Sequence, residues 1–275
     1  MSGSPGVGQQ QAPEKERWFG EFEVPIGTSL HWRLGPLSFS VQRTEGEWRL
    51  QKDASGDVYD STLNLERHAQ AEEEPLDSSV QRFLVANDSS RLRVGILLPD
   101  RSIVSRPSTP VSIPPGETVR FYLSYPVWIS LAVGEQARLL TEFPSHQLSD
   151  TWFGPNTRLG SVCYATRTRC RLDLHQYPHI PNRANTPLVV RNLAADTLHI
   201  EKLQLPVATL SVYRAEADGW LWTETVTVTR REDGDMAELL TGSGAPAQAG
   251  TAELVSGPRQ KVQRHAVFRA FSALF

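Results

Sequence analysis

Short runs in which apolar and polar residues alternate recur along nearly the whole chain, and they constrain its fold more than any other feature. The first clear run alternates apolar with polar residues as follows: Leu30, Trp32 and Leu34 with His31 and Arg33. A side-chain period of two is typical of a strand with one buried face. Gly and Pro, 19 of each among 275 residues, supply frequent turns. The sequence therefore predicts an all-β protein of many short antiparallel strands.

Two motifs recur in the same order in the two halves of the chain. WFG occurs at 18–20 and again at 152–154, and a Pro-Val pair opens an alternating run at 126–133 and at 206–213. A separation near half the chain length predicts two related antiparallel β-sandwich domains in tandem. Their predicted ranges are residues 18–145 and 146–258. Residues 1–17, rich in Gly, Ser, Gln and Pro, are predicted to form a disordered tail.

The last segment, residues 259–275, is predicted to be a short amphipathic helix. Its apolar residues recur at helical spacing or beside it: Val267, Phe268, Phe271, Leu274 and Phe275. This stripe is a candidate surface for docking another protein or a second copy of the chain. Packing against its own domain and lying on a membrane surface remain alternatives.

Arginines at every second position mark a candidate anion-binding stripe. Arg167, Arg169 and Arg171 fall on one face of a predicted strand, where they suit phosphate, an anionic lipid headgroup or an acidic partner. Pairing with carboxylates elsewhere in the fold is the alternative. Few aromatic residues lie among these arginines, and the net charge is only −3, so the sequence does not favour nucleic-acid binding.

Motifs that would carry catalysis or hold a cofactor are missing from the sequence. There is no nucleophile elbow, phosphate loop, zinc-protease helix or dinucleotide-binding glycine motif. His175 and His179 are four apart, but Pro178 prevents the helix that would bring them to one face. We therefore expect no metal, no cofactor and no enzymatic activity. Scattered acids and bases are Asp150, Asp173, Glu224, His175 and His179.

The segment around the Asp218-Gly219 turn is predicted to be a hairpin with its tryptophans on the core side. Trp220, Trp222 and Val226 fall on one face of the second strand. Glu224 interrupts that face. Either a β-bulge turns its carboxylate outward, or the carboxylate is buried and paired, for example with an arginine.

Neither a signal peptide nor a run of about 18 apolar residues is present, and the chain has two cysteines, Cys163 and Cys170. These features predict a cytoplasmic protein whose membrane contact is at most peripheral. Two cysteines are too few for a disulfide framework or a thiolate metal site.

Several motifs together resemble a known family. They are WFGE, GPLSFSVQR followed by EWR, TWFG, CYAT, LPVATLSVY and DGWLWTE. The chain resembles the uncharacterised prokaryotic family called domain of unknown function 432 over residues 18–275. That family provides no catalytic residues to carry over. The resemblance implies a soluble accessory protein of small-conductance-type mechanosensitive channels.

Taken together, these features favour a non-enzymatic cytoplasmic interaction module that binds a protein, such as a membrane channel or a second copy of itself. The alternative is a β-sandwich that binds a small anionic or sugar ligand, for which seven tryptophans and the arginine stripe are the supporting features.

Overall fold

The computed structural model of the protein describes residues 17–69, 79–85, 89–156, 158–168, 172, 179–232, 234–261 and 265–272. These residues form an all-β fold, which confirms the predicted fold class. The helices in the described residues are single turns of 3-10 helix at Val207–Thr209 and Ala247–Ala249. None of the helices in this part of the chain has the length and apolar character needed to cross a bilayer.

The strands are short and follow the alternating runs of the sequence. Up to residue 144 they are β1 (Gly20–Glu23), β2 (Ser29–Leu34), β3 (Leu37–Thr44), β4 (Glu47–Asp53), β5 (Leu63–His68), β6 (Gln81–Leu84), β7 (Arg91–Leu97), β8 (Ile103–Pro107), β9 (Val111–Ile113), β10 (Thr118–Pro126), β11 (Trp128–Val133) and β12 (Arg138–Pro144). Beyond it they are β13 (Asp150–Phe153), β14 (Ser161–Thr168), β15 (Arg183–Asn192), β16 (Leu198–Ile200), β17 (Lys202–Leu205), β18 (Val212–Ala215), β19 (Leu221–Trp222), β20 (Val226–Arg230), β21 (Met236–Thr241), β22 (Ala252–Ser256), β23 (His265–Arg269) and β24 (Phe271–Ser272).

These strands form five sheets. Two sheets use only strands that precede residue 145, in the orders β1-β7-β11-β12 and β5-β2-β3-β4-β6. An eight-stranded sheet has the order β22-β18-β19-β15-β20-β21-β23, with β10 also paired to β15. The other two have the orders β13-β14-β8-β17-β24 and β16-β9.

Strand pairing crosses the boundary that the sequence predicts at residue 145. Along its whole length β10 is antiparallel to β15, and β8 lies between β14 and β17. One large hydrophobic cluster takes apolar side chains from all five sheets and runs from Trp18 to Phe271. The prediction of two tandem sandwiches is therefore not confirmed, because the repeated motifs do not correspond to separately paired sheets.

The prediction of a C-terminal helix is wrong for the described residues. Residues 265–269 are strand β23, which pairs antiparallel with β21, and Phe271 begins β24, which pairs with β17. An isolated short helix is marginal in water, whereas pairing with β21 and β17 gives β23 and β24 backbone hydrogen bonds to existing sheets. The valine and phenylalanines of this segment also favour strands. Their helical spacing was coincidental.

Candidate functional site

The outer face of the five-stranded sheet β5-β2-β3-β4-β6 holds a concavity of about 630 Å³. Outward side chains from four neighbouring strands line it. We call this surface the concave polar face, and its side chains are His31, Arg33, Ser38, Ser40, Gln51, Asp53, Asn64 and Glu66.

Strand register arranges these side chains in two parallel rows. In the first row His31 of β2 lies opposite Ser40 on one side and Glu66 on the other, and Ser40 lies opposite Gln51. The second row lies two residues further along each strand. It consists of Asn64, Arg33, Ser38 and Asp53. Neighbouring strands are about 4.8 Å apart, so each row extends roughly 14 Å across the sheet.

Alternation explains why this face is wholly polar. The inward residues of β2 and β3, such as Trp32 and Phe39, are buried in the core, where their rings stack with centroids 4.6 Å apart. The residues between them must then point away from the core. The face is polar because every outward position of these strands carries a group that can form hydrogen bonds.

Contacts within the protein hold part of the concave polar face in place. The Asn64 amide donates to the Glu66 carboxylate at 2.7 Å, and the Gln51 amide donates to the Ser79 hydroxyl at 3.4 Å. In contrast, the Ser38 and Ser40 hydroxyls form no hydrogen bond with any residue that the structure describes. The centre of the face therefore offers two hydroxyl groups between fixed amide and carboxylate groups.

Charges of both signs lie on the face. Arg33 forms an ion pair with Asp60 at 3.1 Å. Hydrogen bonds from the Ser55 hydroxyl and backbone amide lower the pKa of Asp53, so its carboxylate is charged at neutral pH. The face consequently presents donors, acceptors and both charges rather than a single potential.

Two histidines lie together beside Glu66, at the β5 side of the first row. The rings of His31 and His68 lie 4.4 Å apart, and His68 Nε2 is 3.5 Å from the Glu66 carboxylate. The Ser29 hydroxyl is 2.9 Å from His31 Nε2, but Ser29 is only 4% exposed. A substrate could not reach this hydroxyl, so the Ser29–His31 contact supports the ring rather than activating a nucleophile.

The predicted anion stripe is only partly within the described residues. Arg167 is exposed at the end of β14 and lies directly opposite Arg106 of β8. Arg169 and Arg171 lie outside the described residues. The sequence did not indicate Arg106, because its neighbour in space is 61 positions away in the chain.

The predicted docking residues separate into different environments. Val267 is 70% exposed on β23, at the edge of the eight-stranded sheet, whereas Phe271 is 1% exposed and belongs to the core. The Phe268 side chain and the residues Leu274 and Phe275 lie outside the described part. The five residues therefore do not form one helical stripe.

The predicted tryptophan hairpin forms a small second cluster. Trp222 is buried and Trp220 partly buried, and their rings stack with centroids 5.9 Å apart. His179 stacks on the other face of Trp220 at 5.5 Å. Glu224 is buried, which agrees with the predicted alternative of a buried, paired carboxylate rather than one turned outward by a β-bulge. Its carboxylate accepts hydrogen bonds from the Ser211 amide and the Tyr213 hydroxyl.

The remaining candidate acids and bases do not assemble into a site. Asp150 is on β13 and contacts Arg101, while Glu224 lies in the connection between β19 and β20. Asp173 and His175 are outside the described residues. No group of three His, Cys, Asp or Glu residues in the described part is arranged to hold a metal ion. Cys163 is a buried free thiol, and Cys170 is not described.

The sequence indicates which side chains of the concave polar face point outward, but not that they lie together. Alternation indicates that His31, Arg33, Ser38 and Ser40 point outward, but it does not say which strands are neighbours. The pairing of β2 with β5 across 28 or more intervening residues brings Asn64 and Glu66 to the same face.

Comparison with known proteins gives one match. A family model described as "Protein of unknown function (DUF432)" matches residues 18–275. Neither the curated proteins nor the solved structures contain a match to this chain.

Proposed function

Since the chain belongs to the DUF432 family over residues 18–275, we propose its role from the geometry: a non-enzymatic module that binds a protein partner. Membership of this family is what the motifs predicted. The proposed binding surface is the concave polar face.

One observation carries the proposal: two rows of hydrogen-bonding side chains cross four strands, and the two hydroxyls at their centre form no hydrogen bond within the described residues. Polar groups that are spread over a face of this width suit a polypeptide segment, which presents amides and carbonyls at regular intervals. A small-molecule pocket usually encloses its ligand with mostly apolar walls, whereas this surface is open and most of its lining residues are polar.

The partner class suggested by the family resemblance is a small-conductance-type mechanosensitive channel, with the module on its cytoplasmic side. In this version a polar loop or tail of the channel lies across the concave polar face, and membrane contact is peripheral. A second copy of the chain is the other partner that we consider.

A photo-cross-linking residue at position 38 tests the proposal. Ser38 is exposed at the centre of the second row, and Thr118 is an equally exposed strand position on the eight-stranded sheet, which makes it a matched control. We expect a covalent adduct with a protein in native cells from position 38 and none from position 118. Mass spectrometry of the adduct distinguishes a channel, another protein or a second copy.

Adducts at neither position, or at both positions equally, would contradict the proposal. To separate loss of folding from loss of binding, each variant should first be checked for unchanged thermal unfolding.

A small sugar or anionic ligand is a second candidate. The specific observation in its favour is the combination of the Ser38 and Ser40 hydroxyls with the amide of Gln51 and the carboxylate of Asp53, since such groups bind hydroxyl-rich ligands. A thermal-shift screen of sugars, nucleotides and phosphorylated metabolites tests it. A shift that Ser38→Tyr abolishes and Thr118→Tyr preserves would support this candidate, and no shift from any compound would remove it.

A further inference from the structure

A row of three cations crosses the outer face of the sheet β13-β14-β8-β17-β24. Arg167 of β14 pairs with Arg106 of β8 in the parallel register of these strands. Lys202 begins β17 and precedes Leu203, which pairs with Ser105. Continuing that antiparallel register by one residue places Lys202 beside Arg106. We call these three residues the cation row.

Burial of the neighbouring residues places the cation row on the outer face. Ser105 and Leu203 are buried toward the core. Because successive residues of a strand point to opposite faces, Arg106 and Lys202 point away from it. Arg106 and Arg167 are exposed, and Lys202 is partly exposed. All three side chains can therefore reach a ligand in solvent.

Like charges directly opposite each other on neighbouring strands repel, and this fold bridges such a pair elsewhere. Arg49 and Arg82 are opposite in the register of β4 and β6. The Glu47 carboxylate lies between them and accepts hydrogen bonds from Arg49 at 2.6 Å and Arg82 at 2.9 Å. A carboxylate thus compensates the two positive charges.

No such bridge exists in the cation row. Within the residues that the structure describes, none of its three members forms an ion pair or a side-chain hydrogen bond. Other arginines, such as Arg93 and Arg230, each reach a carboxylate. Among the residues that the structure describes, no carboxylate lies between Arg106 and Arg167 as Glu47 lies between Arg49 and Arg82, so a ligand can supply the negative charge.

We propose that the cation row binds a phosphate group. Two planar guanidinium groups on adjacent strands can each donate paired hydrogen bonds to phosphate oxygens, and the lysine ammonium adds a third positive charge. The phosphate belongs either to a soluble metabolite or to a lipid headgroup. This site is independent of the concave polar face.

Binding to two probes tests the inference on the full-length protein. The soluble probe is pyrophosphate, measured by isothermal titration calorimetry. The lipid probe is a set of phosphatidylcholine vesicles with and without phosphatidylglycerol, measured by co-sedimentation. The test variant is Arg106→Gln/Arg167→Gln. Its matched control is Arg120→Gln/Arg191→Gln, which removes two exposed arginines that also lack an ion pair from the adjacent strands β10 and β15.

We expect the test variant to bind at least one probe about tenfold more weakly than the unchanged protein, and the control to bind it as tightly as before. Binding of pyrophosphate identifies a soluble phosphorylated ligand. Binding only of vesicles that contain phosphatidylglycerol identifies a headgroup. Binding of neither probe by the unchanged protein, or equal weakening in the two variants, would overturn the inference. Both variants should unfold at the same temperature as the unchanged protein, because the four arginines are exposed.

Discussion

The carboxylate of Glu224 accepts a hydrogen bond from the backbone amide of Ser211, with 2.8 Å between oxygen and nitrogen. Its second oxygen is 3.3 Å from the Tyr213 hydroxyl. Since Glu224 is only 6% exposed, these two donors replace the water that burial removes. The residue that interrupts an apolar strand pattern in the sequence is therefore a polar link between two segments of the eight-stranded sheet.

Replacing Glu224 with Gln should lower the free energy of unfolding by about 1–3 kcal/mol, because hydrogen bonds to a charged acceptor become hydrogen bonds to a neutral one. Urea unfolding followed by tryptophan fluorescence measures the change. Glu117→Gln is the control, since Glu117 is fully exposed at a turn. Equal effects of the two substitutions would show that Glu224 contributes no more than a surface carboxylate.

The stacked tryptophans should contribute unequally to stability. Trp222→Ala removes a buried ring that packs against Tyr122, and we expect a loss of about 3–5 kcal/mol. Trp220 is partly exposed, so Trp220→Ala should cost less than half as much. Chemical unfolding of both variants checks the order, and a larger loss for Trp220 would contradict the assignment of Trp222 to the cluster interior.

Glu47 should make the protein sensitive to acid. Hydrogen bonds from Arg82 and Arg49 lower the pKa of Glu47 below its usual value of 4.5. The stabilising contribution of this carboxylate is therefore present above about pH 4.5 and is lost as the pH falls further through the folded-state pKa. The difference in unfolding free energy between the unchanged protein and Glu47→Gln should be largest at neutral pH and shrink as the pH falls through the lowered folded-state pKa of Glu47. A difference that does not change with pH would exclude this role.

Two glycines at tight turns should tolerate alanine differently. Both Gly35 and Gly46 have positive φ, +59° and +74°, so alanine is strained at either position. At Gly35 an added Cβ would also lie 2.6 Å from the carbonyl oxygen of Asp60, whereas nothing lies within 4 Å at Gly46. Gly46→Ala should cost about 1–2 kcal/mol, and Gly35→Ala clearly more. Thermal unfolding of the two variants measures the difference, and equal losses would contradict it.

Features of the fold that depend on neighbouring residues in the sequence could be predicted, whereas those that depend on pairing between distant strands could not. Alternation around Trp32 and Phe39 is a local signal, and it predicted both the strand type and the buried face correctly. Residues 259–275 carried two local signals at once, since their apolar spacing fits a helix while their residue types fit strands. Pairing of β23 with β21 decided between them, and pairing with a distant strand is not visible in a window of 17 residues.

The candidate site was harder to predict than the fold for the same reason. His31 and Ser38 could be placed on an outward face from alternation alone. The concave polar face, however, also requires β5 beside β2, and the cation row requires β8 beside β14. Arg106 carries no local pattern that distinguishes it from other arginines. Its significance comes from a neighbour that only the folded chain supplies.

The pairing of β8, β9 and β10 has a consequence for how the chain is made. These three consecutive strands find their described partners in β14, β16 and β15, all of which are synthesised later. At ordinary translation rates, β10 emerges on the order of several seconds before β15. During that interval Phe121, Leu123 and Tyr125 have no partner strand to cover their backbone. The nascent chain therefore passes through a stage in which residues 103–126 are exposed, and chaperone binding or misassembly would concentrate there.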